Sequence, residues 1–113
     1  MKFLPERRPI SSYGDGGFRF GDHSHRGDLM VLPSGMRAWD GTDFSGVLAE
    51  RDEIDFLIVG TGAKLKALDL RLAAAMEAAG ISADCMATSA AVATYNVMLA
   101  EGRRLAAAFI AVN

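Results

Sequence analysis

Apolar and polar positions along this chain fall into two regimes. From Ile54 to Val112, near-continuous apolar runs alternate with helix-patterned segments. Asp55-Phe56-Leu57-Ile58-Val59 is a short run with a β-branched end, as a strand buried on both faces requires. Gly60-Thr61-Gly62 follows, where the chain must turn sharply. Leu65, Leu68, Leu72, Met76 and Ala79 recur at helical spacing and predict a helix over Leu65–Ala79, with Gly80 placed for a left-handed cap. Ile81–Met86 reads as a second strand. Thr88 and Ser89 are both suited to cap a second helix from about Ala90 to Glu101, whose apolar line is Val92, Tyr95 and Leu99. Gly102 ends it, and Arg104–Val112 carries a last buried run. This alternation predicts a βαβαβ unit on a parallel sheet with right-handed crossovers.

The first third alternates at the shorter period of strands. Ile10–Tyr13, Phe18–Phe20, Leu29–Leu32 and Met36–Trp39 read as strands of an antiparallel meander. Gly14-Asp15-Gly16-Gly17 and Pro33-Ser34-Gly35 are its turns. The polar stretch from Gly21 to Gly27 reads as a solvated hairpin tip, and Val47–Arg51 as a short helical turn. The expected architecture is α/β: one compact three-layer domain over residues 10–113 with a mixed sheet, preceded by an extended lead-in over residues 1–9. The meander must either extend that sheet or cover one of its faces.

Composition narrows the function classes. At 113 residues, half of them hydrophobic, the chain supports one core. Lys+Arg number 12 against 14 Asp+Glu, and the nine arginines are scattered, so there is no basic stripe for a nucleic acid. One cysteine, Cys85, excludes an internal disulfide and a cysteine-only zinc site. No apolar stretch reaches the ~20 residues of a membrane helix, and residues 1–10 do not resemble a signal peptide. A cytoplasmic protein without a membrane span is the expectation.

Candidate chemistry gathers at the two strand-to-helix loops, the edge where open α/β sheets bind ligands. Gly60, Thr61 and Gly62 could present backbone amides to an anion, but the run is neither Gly-x-Gly-x-x-Gly nor a P-loop. Thr88, Ser89, Tyr95 and Asn96 could face the same cleft, or cap the helix and bond neighbouring backbone. Arg103 falls at the opposite end of that helix. His23 and His25, with Asp22 and Asp28, contain donors enough for zinc, yet an exposed turn is the ordinary reading and no metal site is assigned. Cys85 reads as a small buried hydrophobe, and Trp39 as a core residue or a partner anchor. No nucleophile–base pair can be assembled by spacing, so no catalytic residue and no cofactor are assigned.

Three stretches together resemble a known family: Ile10 to Arg19 (Ile-Ser-Ser-Tyr-Gly-Asp-Gly-Gly-Phe-Arg), Gly60-Thr61-Gly62, and Met86 to Asn96 (Met-Ala-Thr-Ser-Ala-Ala-Val-Ala-Thr-Tyr-Asn), followed by Glu101-Gly102-Arg103. The pattern is similar to that of the small α/β domains of unknown function 498/598, which include a mitochondrial respiratory complex I assembly factor and an adipogenesis-associated protein. The resemblance implies a compact three-layer α/β fold and a binding or assembly role more than an enzymatic one, with respiratory complex subunits or assembly factors as protein partners. It supplies no catalytic residues. Mapped onto its motifs, the candidate ligand site is Gly60, Thr61, Gly62, Thr88, Ser89, Tyr95 and Asn96, and the alternative function is binding of a small molecule or anion, or an undiscovered enzymatic activity, in that cleft. The histidine pair lies outside the pattern.

Overall fold

Alternate residues of the three central strands face opposite ways, and each set builds its own core. The computed structural model describes the strand Lys2–Leu4 and residues 6–113. In chain order, its strands are β1 (Lys2–Leu4), β2 (Ser12–Gly14), β3 (Gly17–Phe20), β4 (His23–Arg26), β5 (Leu29–Leu32) and β6 (Gly35–Ala38). Helix α1 (Ser45–Ala49) and a 3-10 turn (Arg51–Glu53) lead to β7 (Phe56–Gly60). Then come α2 (Leu70–Ala78), β8 (Ser82–Met86), α3 (Thr88–Ala100) and β9 (Leu105–Phe109). Six strands form one sheet in the order β1-β6-β5-β9-β7-β8, and β2-β3-β4 form a separate meander. Strands β8, β7 and β9 are parallel, whereas β5, β6 and β1 extend the sheet antiparallel beyond β9. The early strands therefore do both things open to them: one hairpin lengthens the sheet and the meander covers a face.

On one face Leu29, Val31, Ile58, Leu105, Ala107 and Phe109 pack with Phe18 and Phe20 of the meander and with Ala91, Val92 and Tyr95 of α3. On the other, Met30, Leu32, Leu57, Val59, Ala106 and Ala108 pack with Phe44, Val47 and Met76. The result is the expected three-layer α/β domain with a mixed sheet. The lead-in lies partly outside the described residues; its strand β1 pairs antiparallel with β6.

Three local expectations need correction. The segment Gly21–Gly27 is a hairpin tip only at Gly21-Asp22, because His23–Arg26 is strand β4, exposed except at His25. His25 pairs across from Phe18 and is buried, and the His23 ring stacks on Phe20 at 6.0 Å between centroids. His25 occupies the inward position that an apolar residue takes in an ordinary strand, so the pattern reads as polar although this residue is buried opposite Phe18. The helix expected over Leu65–Ala79 begins at Leu70. The Thr61 hydroxyl donates to the Lys64 carbonyl (2.7 Å) and accepts from the Lys66 amide (3.0 Å), holding that segment in a turn. Asp69 then caps α2 by accepting from the amides of Arg71 and Leu72. Leu65 is left exposed, while Leu72 and Met76 face the core. Lastly, neither Thr88 nor Ser89 caps α3; the cap position is Ala87, without a side-chain bond.

Candidate functional site

The two loops expected to share a cleft do meet, with Thr88 between them. Its fully buried hydroxyl accepts from the Gly62 amide (2.9 Å) and donates to the Ile110 carbonyl (2.7 Å). The Thr88 amide in turn donates to the Gly62 carbonyl (2.8 Å). Thr88 thus ties the turn after β7 and the chain leaving β9 to the first turn of α3. Gly60 faces the same helix. A Cβ placed there would stand 3.0 Å from the Thr88 hydroxyl and 3.1 Å from both Ala91 and Phe109, so close approach of α3 requires the glycine. Gly62 has φ of +102°, a conformation that favours glycine.

Two turns further on, α3 bonds the start of the domain. Tyr95 is fully buried, edge-on to Phe109, and its hydroxyl donates to the Arg8 carbonyl (2.7 Å). Burial pushes its phenol above the ordinary range, partly offset by the Arg7 charge. Asn96 closes both backbone groups of Ile10: its Oδ1 accepts from the amide (2.8 Å) and its Nδ2 donates to the carbonyl (2.9 Å). Of the two readings open to Tyr95 and Asn96, bonding to backbone is the arrangement found, although the backbone is remote rather than neighbouring. Ser89 is exposed at the start of α3. Thr61 points the other way from Gly60 and lines a cavity with Val59.

The other candidates separate. The imidazole Nε2 of His25 lies 2.8 Å from the Asp28 carbonyl oxygen. Among the described residues, no three His, Cys, Asp or Glu side chains converge on a metal position. Cys85 is half-buried beside the second core; burial and then the Asp84 charge raise its thiol pKa. Arg103 sits over the Phe56 ring at 5.4 Å, at the far end of the sheet. Phe18 is core, 5.6 Å from Phe109. Trp39 is half-buried and edge-on to Phe44 (5.2 Å), with its indole N–H donated to the Asp43 carbonyl (2.8 Å).

Residues 10–110 match the model of a family described as protein of unknown function (DUF498/DUF598). The chain belongs to this family. It is 38% identical over 103 residues to an uncharacterized protein of Rhodobacter capsulatus, covering 90% of this chain and 83% of that one. A crystal structure described as an outer membrane protein from Bartonella henselae superposes with a TM-score of 0.95 at 44% identity, covering 98% of this chain and all of that one. NADH dehydrogenase (ubiquinone) 1 alpha subcomplex assembly factor 3 of Danio rerio is 29% identical over 109 residues, covering 89% of this chain. The match spans only 63% of that assembly factor's length. No helix of the described residues is long and apolar enough to cross a membrane. Two of the three stretches that carry the motif pattern, 10–19 and 86–96, meet where Asn96 holds Ile10, and the third joins them where Gly62 bonds Thr88, so these family residues are joined by structural bonds.

Proposed function

We propose that this chain is a non-catalytic binding protein that assists assembly of a respiratory NADH dehydrogenase. One observation carries the reading: the polar groups of the motif residues Thr88, Tyr95 and Asn96 are engaged by backbone groups of the chain itself. A hydroxyl that already accepts and donates inside a buried site is poorly placed to bind substrate. The complex I assembly factors among its relatives supply the direction, and the protein acts from the cytoplasmic side. Its partner is a subunit or a fellow assembly factor.

The surface offered is the loop before α2 together with the first residue of that helix. Leu65 and Leu70, 66% and 86% exposed, stand five residues apart there and supply apolar anchors for a protein partner. Affinity capture of the tagged protein from its native extract, with mild cross-linking, tests this. Recovery of NADH dehydrogenase subunits, lost on Leu65→Asp with Leu70→Asp, is the expected result. A deletion strain with normal NADH dehydrogenase level and activity, in an organism that has the complex, overturns the assembly role.

A further inference from the structure

On the side of the sheet away from α3 lies a cavity of about 400 Å³. Its walls are Val59 at the end of β7, Leu68 and Leu72 on the approach to and in α2, Ile110 after β9, and Trp39. This is the carboxyl edge of the parallel strands, where open α/β sheets take ligands. The volume lies in the range of small-molecule sites, about 300–1,000 Å³. The lining is predominantly apolar, yet one cation stands on it: Lys66.

The polar groups around this cavity divide sharply. The Thr61 hydroxyl is engaged by the Lys64 carbonyl and the Lys66 amide. Asp69 directs a carboxylate oxygen to the first amides of α2. The ammonium of Lys66 has no ion pair among the described residues, whose four ion pairs all involve arginine. An apolar chamber with one uncommitted cation on its wall is complementary to a small molecule with an apolar body and one negative end. The Trp39 indole, held by its N–H bond to Asp43 and by Phe44, gives the chamber a fixed aromatic wall.

We propose that this cavity binds a small amphipathic carboxylate, its apolar tail between Trp39, Leu68, Leu72 and Ile110 and its carboxylate on Lys66. At ~30 Å³ per atom, the volume holds roughly a dozen non-hydrogen atoms, enough for octanoate with about ten. The site lies across the sheet from the Thr88 cluster, and its wall shares the loop that carries Leu65.

Trp39 is the sole tryptophan and reports on the cavity directly. Titration of the intact protein with octanoate should change its fluorescence saturably. Lys66→Gln should weaken octanoate about three- to tenfold, the scale of one partly exposed charge contact. The same variant should leave binding of octanol, the uncharged analogue, unchanged. Ala67→Phe, at an exposed position on the cavity wall, should block both ligands while thermal unfolding stays near that of the parent. Absence of a saturable signal with octanoate overturns the proposal. So does binding that Lys66→Gln and Ala67→Phe both leave intact, or an equal effect of Lys66→Gln on octanoate and octanol.

Discussion

Substituting Asn96 by alanine isolates the contact that joins the start of the domain to α3. In the native protein both backbone groups of Ile10 are closed by one side chain, at 2.8 and 2.9 Å, across 86 residues of sequence. Ile10 itself is buried and belongs to the core between the sheet and α3. Each bond is worth about 1 kcal/mol net, and leaving a half-buried backbone group without a partner adds a fraction of its desolvation cost. The expected loss is about 2–3 kcal/mol, or about 8–15 °C in Tm for a domain of this size. Thermal and urea unfolding measure the total. Amide hydrogen exchange gives the sharper test: the Ile10 amide should lose its protection while amides in β7 and β9 retain theirs relative to the lowered global stability. A variant destabilised by less than about 0.5 kcal/mol, or one whose Ile10 amide stays protected, would refute the clamp.

Other perturbations follow from the same contacts. Thr88→Val removes a buried hydroxyl with two partners and should cost about 2–4 kcal/mol in urea unfolding, whereas Thr88→Ser should restore most of it. Tyr95 is protonated in the fold above its ordinary pKa of 10.0, while the unfolded chain releases that proton. Stability linked to Tyr95 is therefore complete below about pH 10 and falls as pH rises further. At pH 11 this linkage amounts to ~1.4 kcal/mol, and Tyr95→Phe, about 1 kcal/mol less stable at neutral pH, should show a correspondingly flatter alkaline decline in denaturant melts. Gly17→Ala would place Cβ 2.3 Å from the His25 carbonyl oxygen, a clash between paired strands, and should cost about 3 kcal/mol or more. Gly80→Ala meets no neighbour and should cost only the ~1–2 kcal/mol of a left-handed backbone; equal thermal shifts for the two would contradict the packing account.

The fold was legible where burial on both faces leaves one reading. The runs in β5, β7 and β9 are apolar at every position because each faces a core on both sides. Strand β4 was illegible because its one buried residue is a histidine, His25, and α2 was overextended because the leucines before it keep helical spacing by coincidence. Leu65 is exposed and Leu68 reaches the core from a loop, with Asp69 fixing the true start. At the candidate site, the meeting of the Gly60 and Thr88 loops followed from parallel topology alone. The partners of Tyr95 and Asn96 did not, since Arg8 and Ile10 lie 87 and 86 residues away and nothing local points to them. The cavity was hidden for the same reason: Trp39, Val59, Lys66 and Ile110 belong to separate segments that only the folded sheet brings together.

This division governs how mutants of the protein should be read. Thr88 and Tyr95, seven residues apart on α3, present to the same inner side, with Asn96 beside them, and together hold residues 8–10, Gly62 and Ile110. These are the segments that enter and leave the sheet, so loss of any of the three side chains loosens the fold before it touches a binding surface. Partner binding abolished by Thr88→Val or Asn96→Ala is then explained by lower stability, and it locates no interface unless the folded fraction is unchanged. Lys66, Leu65 and Leu70 are exposed on the loop and helix start across the sheet, where a substitution removes little packing. A change in ligand or partner binding there, at unaltered Tm, is interpretable as recognition. Substitutions at Thr88, Tyr95 and Asn96 thus report first on stability, whereas those at the exposed positions between Ala63 and Leu70 test the proposed recognition.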